Sequence, residues 1–283
     1  MNKQILTTTA LLGMLAVPAS AQDKVILGHD VFGSGPEKVI IFHDWMGDAA
    51  NYDSVRQWLD TEAYTYVFPE VRGYARSRNL SGEYTTDEIA ADTMALADYL
   101  GWNKFHLVGH SMNGIAGFKT VMQDWKGKKR IKSYFAVSPV TPNGFPSDAE
   151  TSAFLASTTT DDEAAKDAMG MLTGGKLSHV WGERRIERLR EITTADVMLG
   201  YLDMWDNEDF SEELNAAKVG TPITVLGGRN DLPGFQESYY NETIANWLPN
   251  VSFTYIDNAG HYPMHETPVL FASLIESHLA AHK

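Results

Sequence analysis

Ser111 stands in Gly109-His110-Ser111-Met112-Asn113-Gly114, between an apolar run and a helical pattern. A serine hydroxyl is a weak nucleophile until a neighbouring base takes its proton. A sharp strand-to-helix turn would hold the hydroxyl clear of the sheet, and the N–H groups that open the helix favour developing negative charge. These are the conditions for attack on a carbonyl carbon. The G-x-S-x-G pattern is incomplete, because position 113 is Asn and glycine follows only at Gly114.

Two further residues supply what a serine needs. His261, in Ala259-Gly260-His261-Tyr262-Pro263, follows the last strand-like run and precedes the last helical one. A histidine in such a loop reaches a site at the C-terminal ends of the strands. Asp231 follows Gly227-Gly228-Arg229-Asn230 and is placed to orient the imidazole. The other histidines are less suited: His106 falls inside a strand, and His278 and His282 fall in the terminal helix. A tetrahedral intermediate also needs two N–H donors. Met112, next to the serine, supplies one; the second comes from the loop His43–Asp48.

The elements that carry these residues follow from apolar patterning. Lys38–Phe42, Tyr64–Pro69, Phe105–Gly109, Ser133–Ser138, Pro222–Gly227 and Ser252–Asp257 are short runs rich in β-branched and aromatic residues, as in strands buried on both faces. Thr86–Leu100, Gly114–Trp125, Gln236–Trp247 and Pro268–Ala281 read as helices, with Thr86 or Asp87 capping the first. This alternation predicts an α/β fold with a mostly parallel central sheet flanked by helices. From Val140 to Lys218 no strand is evident, and several inserted helices are expected. Their charged run Glu183–Glu191 reads as a solvated helix face. Met169, Met171, Trp181, Met198, Met204 and Trp205 read as core.

The chain has 283 residues, no cysteine and a formal charge of −14. Disulfides and cysteine metal sites are therefore excluded. Acidity argues against nucleic acid and anionic lipid as partners, since both need basic patches. Residues 1–21 read as an export signal, with Lys3, the apolar run Ile5–Val17 and cleavage after Ala19-Ser20-Ala21. The run falls short of the roughly 20 apolar residues that a membrane span needs. A periplasmic or secreted mature protein without a membrane span is expected.

The chain resembles the α/β-hydrolase superfamily, in its capped branch of small esterases. The resemblance rests on the His43 motif, Val71-Arg72-Gly73-Tyr74-Ala75-Arg76-Ser77, GHSMNG, GGRND and AGHYP. It implies a core of residues 22–139 and 219–283, a helical cap of residues 140–218, and Trp45 as the second oxyanion donor. It implies no catalytic role for Arg72 or Ser77. The expected reaction is cleavage of a small acyl substrate by Ser111, His261 and Asp231, with neither metal nor cofactor. Lactone, carbon–carbon or peroxide chemistry could run on the same three residues, and a binding protein without chemistry is the remaining alternative. His43, Asp44 and His110 are expected beside the substrate. Asp44 replaces the usual glycine after the histidine. It is expected to turn away and bond backbone; turned inward, it would face an oxyanion or a polar substrate group.

Overall fold

A computed structural model describes residues 24–248 and 250–283. The expected export signal lies outside these residues. Seven strands form one sheet: β1 His29–Gly33, β2 Glu37–Phe42, β3 Tyr64–Pro69, β4 Phe105–His110, β5 Ile131–Val137, β6 Ile223–Gly228 and β7 Val251–Ile256. Their spatial order is β1-β3-β2-β4-β5-β6-β7, and every pairing is parallel except β1 with β3. The six predicted runs are β2 to β7. The unpredicted strand, β1, has one neighbour and is only partly buried. An edge strand of this kind needs no continuous apolar run, so hydropathy does not reveal it.

The helices are α1 Asp53–Arg56, α2 Thr86–Tyr99 and α3 Met112–Lys126, then α4 Ala149–Ser157, α5 Asp162–Leu172, α6 His179–Ile192, α7 Ala195–Asn207 and α8 Ser211–Ala217. The last five lie between β5 and β6 and form the helical cap. After β6 come α9 Glu237–Glu242 and α10 Ile244–Trp247, and after β7 come α11 Pro263–Glu266 and α12 Pro268–Ala281. Two expectations need correction. Thr85, not Thr86 or Asp87, caps α2, accepting the Glu88 N–H at 3.2 Å. The predicted helix Gln236–Trp247 is split at Thr243, whose backbone leaves the helical region (φ −120°, ψ −88°). Its hydroxyl bonds the Tyr239 carbonyl four residues back, a local bond that competes with the helix.

Buried imidazoles give the fold an acid limit. Burial pushes His110 and His278 down to about 3, and His106 and His265 down to about 4, from an ordinary 6.5. Above pH 6.5 both folded and unfolded chains hold these rings neutral. As pH falls toward 4, the unfolded chain takes up protons that the folded chain refuses, so stability is lost in that window. Glu70 opposes the trend, because burial raises it to about 7. Burial raises Glu266 as well and lowers His43, so five imidazoles against two carboxyls leave net acid destabilisation. Between pH 7 and pH 4.5, Tm is expected to drop by roughly 5 °C or more. A flat Tm in a calorimetric pH series would contradict this.

Candidate active site

Ser111 lies at the turn between β4 and α3 with φ 56° and ψ −116°, a conformation that side chains rarely adopt. Three backbone bonds hold it: its N–H donates to Val137 O at 3.0 Å, and its carbonyl accepts Gly114 N–H at 2.7 Å and Val140 N–H at 3.1 Å. The turn needs glycine at 109, because a Cβ there would stand 2.4 Å from the Asn113 carbonyl oxygen. Asn113, the departure from the motif, is bound into the frame. Its Nδ2 donates to His43 O at 2.7 Å and ties α3 to the loop after β2.

His261 and Asp231 meet from different strands. Asp231 follows β6 and His261 follows β7. The imidazole Nδ1 lies 2.7 Å from Asp231 Oδ2, and Asp231 Oδ1 accepts Leu232 N–H at 2.8 Å. Both side chains are buried. The His261 loop is shaped by Glu266, whose carboxylate accepts Gly260 N–H at 2.9 Å and Tyr262 N–H at 3.1 Å. The His261 ring packs against Phe235 at 4.4 Å and His110 at 5.0 Å between centroids. With Nδ1 taken by the carboxylate, Nε2 is the nitrogen left for chemistry. Ser111 and His261 border one cavity, although no hydrogen bond joins the hydroxyl to Nε2. Such bonds are often loose before substrate binds.

That cavity has a volume of about 890 Å³ and lies between sheet and cap. Its walls are mainly apolar, with Trp45, Phe154, Leu172, Trp205 and Phe235 among them. Of the residues read as core, Trp205 is buried and also lines this wall, whereas Met171 is largely exposed beside it. Four acids, Asp44, Asp148, Glu150 and Glu242, border the cavity, and no lysine or arginine does. Among the described residues no group of three or more His, Cys, Asp or Glu is arranged to hold a metal ion, and no helix is long and apolar enough to cross a membrane.

Of the two backbone N–H groups expected as oxyanion donors, Met112 follows the serine in sequence and Trp45 lines the same cavity as Ser111. Met112 opens α3, so its N–H has no intrahelical acceptor. Trp45 N–H has no acceptor among the described residues. The peptide that carries it is held from the other end, since His43 Nδ1 lies 2.6 Å from Asp44 O. Val71 N–H donates to His43 Nε2 at 3.3 Å, which makes Nδ1 the donor. Burial lowers the His43 pKa and keeps the ring neutral in that role.

The expected neighbours divide. Asp44 borders the cavity, whereas His43 and His110 do not. His43 supports the loop from behind. His110 stays neutral, and its Nε2 donates to the His261 carbonyl at 2.8 Å. Asp44 does bond backbone, at Met46 N–H 3.1 Å away, but it does not turn from the site. It also accepts Tyr262 OH at 2.7 Å and Asn51 Nδ2 at 2.5 Å. Burial opposes its charge, yet the Arg185 charge and the Tyr262 hydroxyl hold the carboxyl well below the usual range.

Arg185 corrects a second expectation. The run Glu183–Glu191 on α6 is not a uniformly solvated face. Arg185 is buried, donating from Nη2 to Met46 O at 3.0 Å and from Nη1 to Asn51 Oδ1. Arg188 reaches Asp48 at 2.5 Å, and Arg190 binds the Thr158 and Thr159 carbonyls, each at 2.9 Å. The pattern of buried Arg185, Ile186, Leu189 and Ile192 has helical spacing, and that was the signal available in the sequence.

A family model described as alpha/beta hydrolase fold matches residues 38–268. The chain belongs to the α/β-hydrolase family. Among relatives, a 2-heptyl-3-hydroxy-4(1H)-quinolone dioxygenase of Mycobacteroides abscessus is 24% identical over 75% of this chain and 90% of its own length. A non-heme chloroperoxidase of Burkholderia pyrrocinia is 25% identical over 44% of this chain, which spans only 45% of that relative. Solved hydrolases share the fold. An esterase of Exiguobacterium antarcticum superposes with a TM-score of 0.77 at 16% identity, covering 89% of this chain and 94% of the other. A bromoperoxidase of Bacillus anthracis gives 0.76 at 18%, with the same coverage. An enol-lactonase of Burkholderia xenovorans gives 0.71 at 19%, covering 90% and 96%.

Proposed function

We propose that this α/β hydrolase cleaves a carboxylic ester or related acyl bond through an acyl-enzyme on Ser111. The observation that carries the reading is the strained Ser111 turn opening on the same cavity as an imidazole held at 2.7 Å by Asp231. Ser111 Oγ bonds to the carbonyl carbon while His261 Nε2 takes its proton. The carbonyl electron pair moves to oxygen, which lies between the N–H groups of Trp45 and Met112. The carbon–oxygen bond to the leaving alcohol then breaks, and His261 returns the proton to that alcohol. Water, deprotonated by His261, attacks the acyl carbon and releases acid and Ser111. Asp231 keeps the imidazole in the tautomer that can accept at Nε2.

The cavity also indicates what is cleaved. Its walls favour an apolar acyl group, and its acidic border disfavours a negatively charged one. A p-nitrophenyl ester series separates these terms. Butyrate and longer neutral acyl esters are expected to exceed the monosuccinate ester in kcat/KM by roughly tenfold or more at low ionic strength, with the gap narrowing in high salt. Equal rates for neutral and anionic esters would refute the charge selection. Tested beside lactones, and with acetate plus peroxide, the same series tests the acyl-transfer chemistry. Inertness toward all of them, and toward a fluorophosphonate probe, would favour a binding protein without chemistry.

A further inference from the structure

We infer that Arg185, on cap helix α6, is a positioning residue that sets the oxyanion loop of the acyl-transfer reaction proposed above. The inference rests on that reading and extends it to a residue in the cap. The loop around Trp45 is held at nearly every polar atom. Trp45 O accepts Tyr74 OH at 2.7 Å, and the Trp45 indole N–H donates to Met198 O on α7 at 2.9 Å. Met46 N–H donates to Asp44 Oδ2 at 3.1 Å, and Met46 O accepts Arg185 Nη2 at 3.0 Å. What remains for substrate is Trp45 N–H.

Arg185 does two things in this arrangement. It fixes the Met46 carbonyl and so restrains the Met46–Gly47 peptide, two peptide units after the one that carries the donor. It also compensates Asp44, whose Oδ1 lies 3.8 Å from Arg185 Nη2. Asp44 occupies the position just before the proposed donor and borders the cavity. Uncompensated, its charge would oppose the charge that forms on the carbonyl oxygen. Arg185 is the one arginine or lysine within 4.0 Å of it among the described residues. Gly47 makes the approach possible, because a Cβ there would stand 2.5 Å from Arg185 Nη2. Asn51 closes the circuit, giving Nδ2 to Asp44 and receiving Arg185 Nη1 on Oδ1. The cap thereby holds the loop after β2.

The test compares Arg185→Met with the charge-neutral pair Asp44→Asn/Arg185→Met, each normalised to the fraction of folded enzyme labelled by a fluorophosphonate. Arg185→Met is expected to lower kcat on p-nitrophenyl butyrate about 100-fold, with KM changed less than about threefold. Removing the Asp44 charge as well is expected to recover kcat by about tenfold. Should Arg185→Met fail to fold, Asp44→Asn/Arg185→Met is compared with Asp44→Asn instead: neither carries the Asp44 charge, the freed Met46 carbonyl is expected to make the double variant about tenfold lower in kcat, and equal values would overturn the inference. Loss of Tm with kcat per labelled site unchanged would overturn the inference and leave Arg185 a purely structural residue. So would a double variant no faster than the single one. Wild-type enzyme that neither turns over esters nor takes the probe would instead refute the acyl-transfer reading.

Discussion

Ser111→Ala is expected to lower kcat for p-nitrophenyl butyrate by roughly 10⁴- to 10⁶-fold and to abolish labelling by a fluorophosphonate. The loss is large because the substitution removes the atom that would bond to the acyl carbon, and water held in its place lacks the same orientation. The fold should hardly notice. Ser111 Oγ makes no hydrogen bond among the described residues, and alanine keeps the backbone bonds that fix the turn through Ser111 N and O. A Tm within about 2 °C of wild type is therefore expected. Stopped-flow acylation and intact-protein mass after labelling read the two effects separately. Full turnover by the variant would remove Ser111 from the mechanism. If Asp231→Asn then still abolished activity, the His261–Asp231 pair would be acting as a base on the substrate itself, without an acyl-enzyme.

Asp231→Asn is the second large effect, with an expected loss of about 10⁴-fold in kcat and a KM within about threefold. Asparagine fits the same space. Its carbonyl oxygen can still accept Leu232 N–H, now made by Asp231 Oδ1 at 2.8 Å. Its amide group then faces His261 Nδ1, where a carboxylate oxygen stands at 2.7 Å. A donor there forces Nδ1 to accept, which moves the ring proton to Nε2. The nitrogen that must take the serine proton is then blocked. Burial sharpens the effect, since both side chains lie away from water that could substitute for the carboxylate. Activity within tenfold of wild type would show that Asp231 does not orient this histidine.

Much of this arrangement is legible in the sequence. Strands β2 to β7 are short, continuous apolar runs because both faces of the central sheet are covered. Helices between them give parallel connections, so the loops after β4, β6 and β7 open at one end of the sheet, and Ser111, Asp231 and His261 lie in those loops. The absence of strand patterns between Val140 and Lys218 likewise predicts the inserted helices. Edge strand β1 is not legible, because one neighbour and partial exposure impose no distinctive pattern. The break at Thr243 is not legible either, because it depends on a side-chain-to-backbone bond within a segment of otherwise helical composition.

Asp44 and Arg185 mark the boundary most clearly. From sequence, Asp44 is a carboxylate out of place and Arg185 is one charge in a charged run, with 140 positions between them. Local pattern determined the strands, the turn at Ser111 and the placement of the three residues proposed for catalysis, because each depends on neighbours a few positions away. Only the tertiary structure decided that a cap arginine lies 3.8 Å from Asp44, that Asn113 bonds the His43 carbonyl, and that the His43 ring bonds the Asp44 carbonyl. The reason is physical. Whether a buried charge is tolerable depends on which distant groups the fold brings within a few ångströms, and no spacing along the chain encodes that contact.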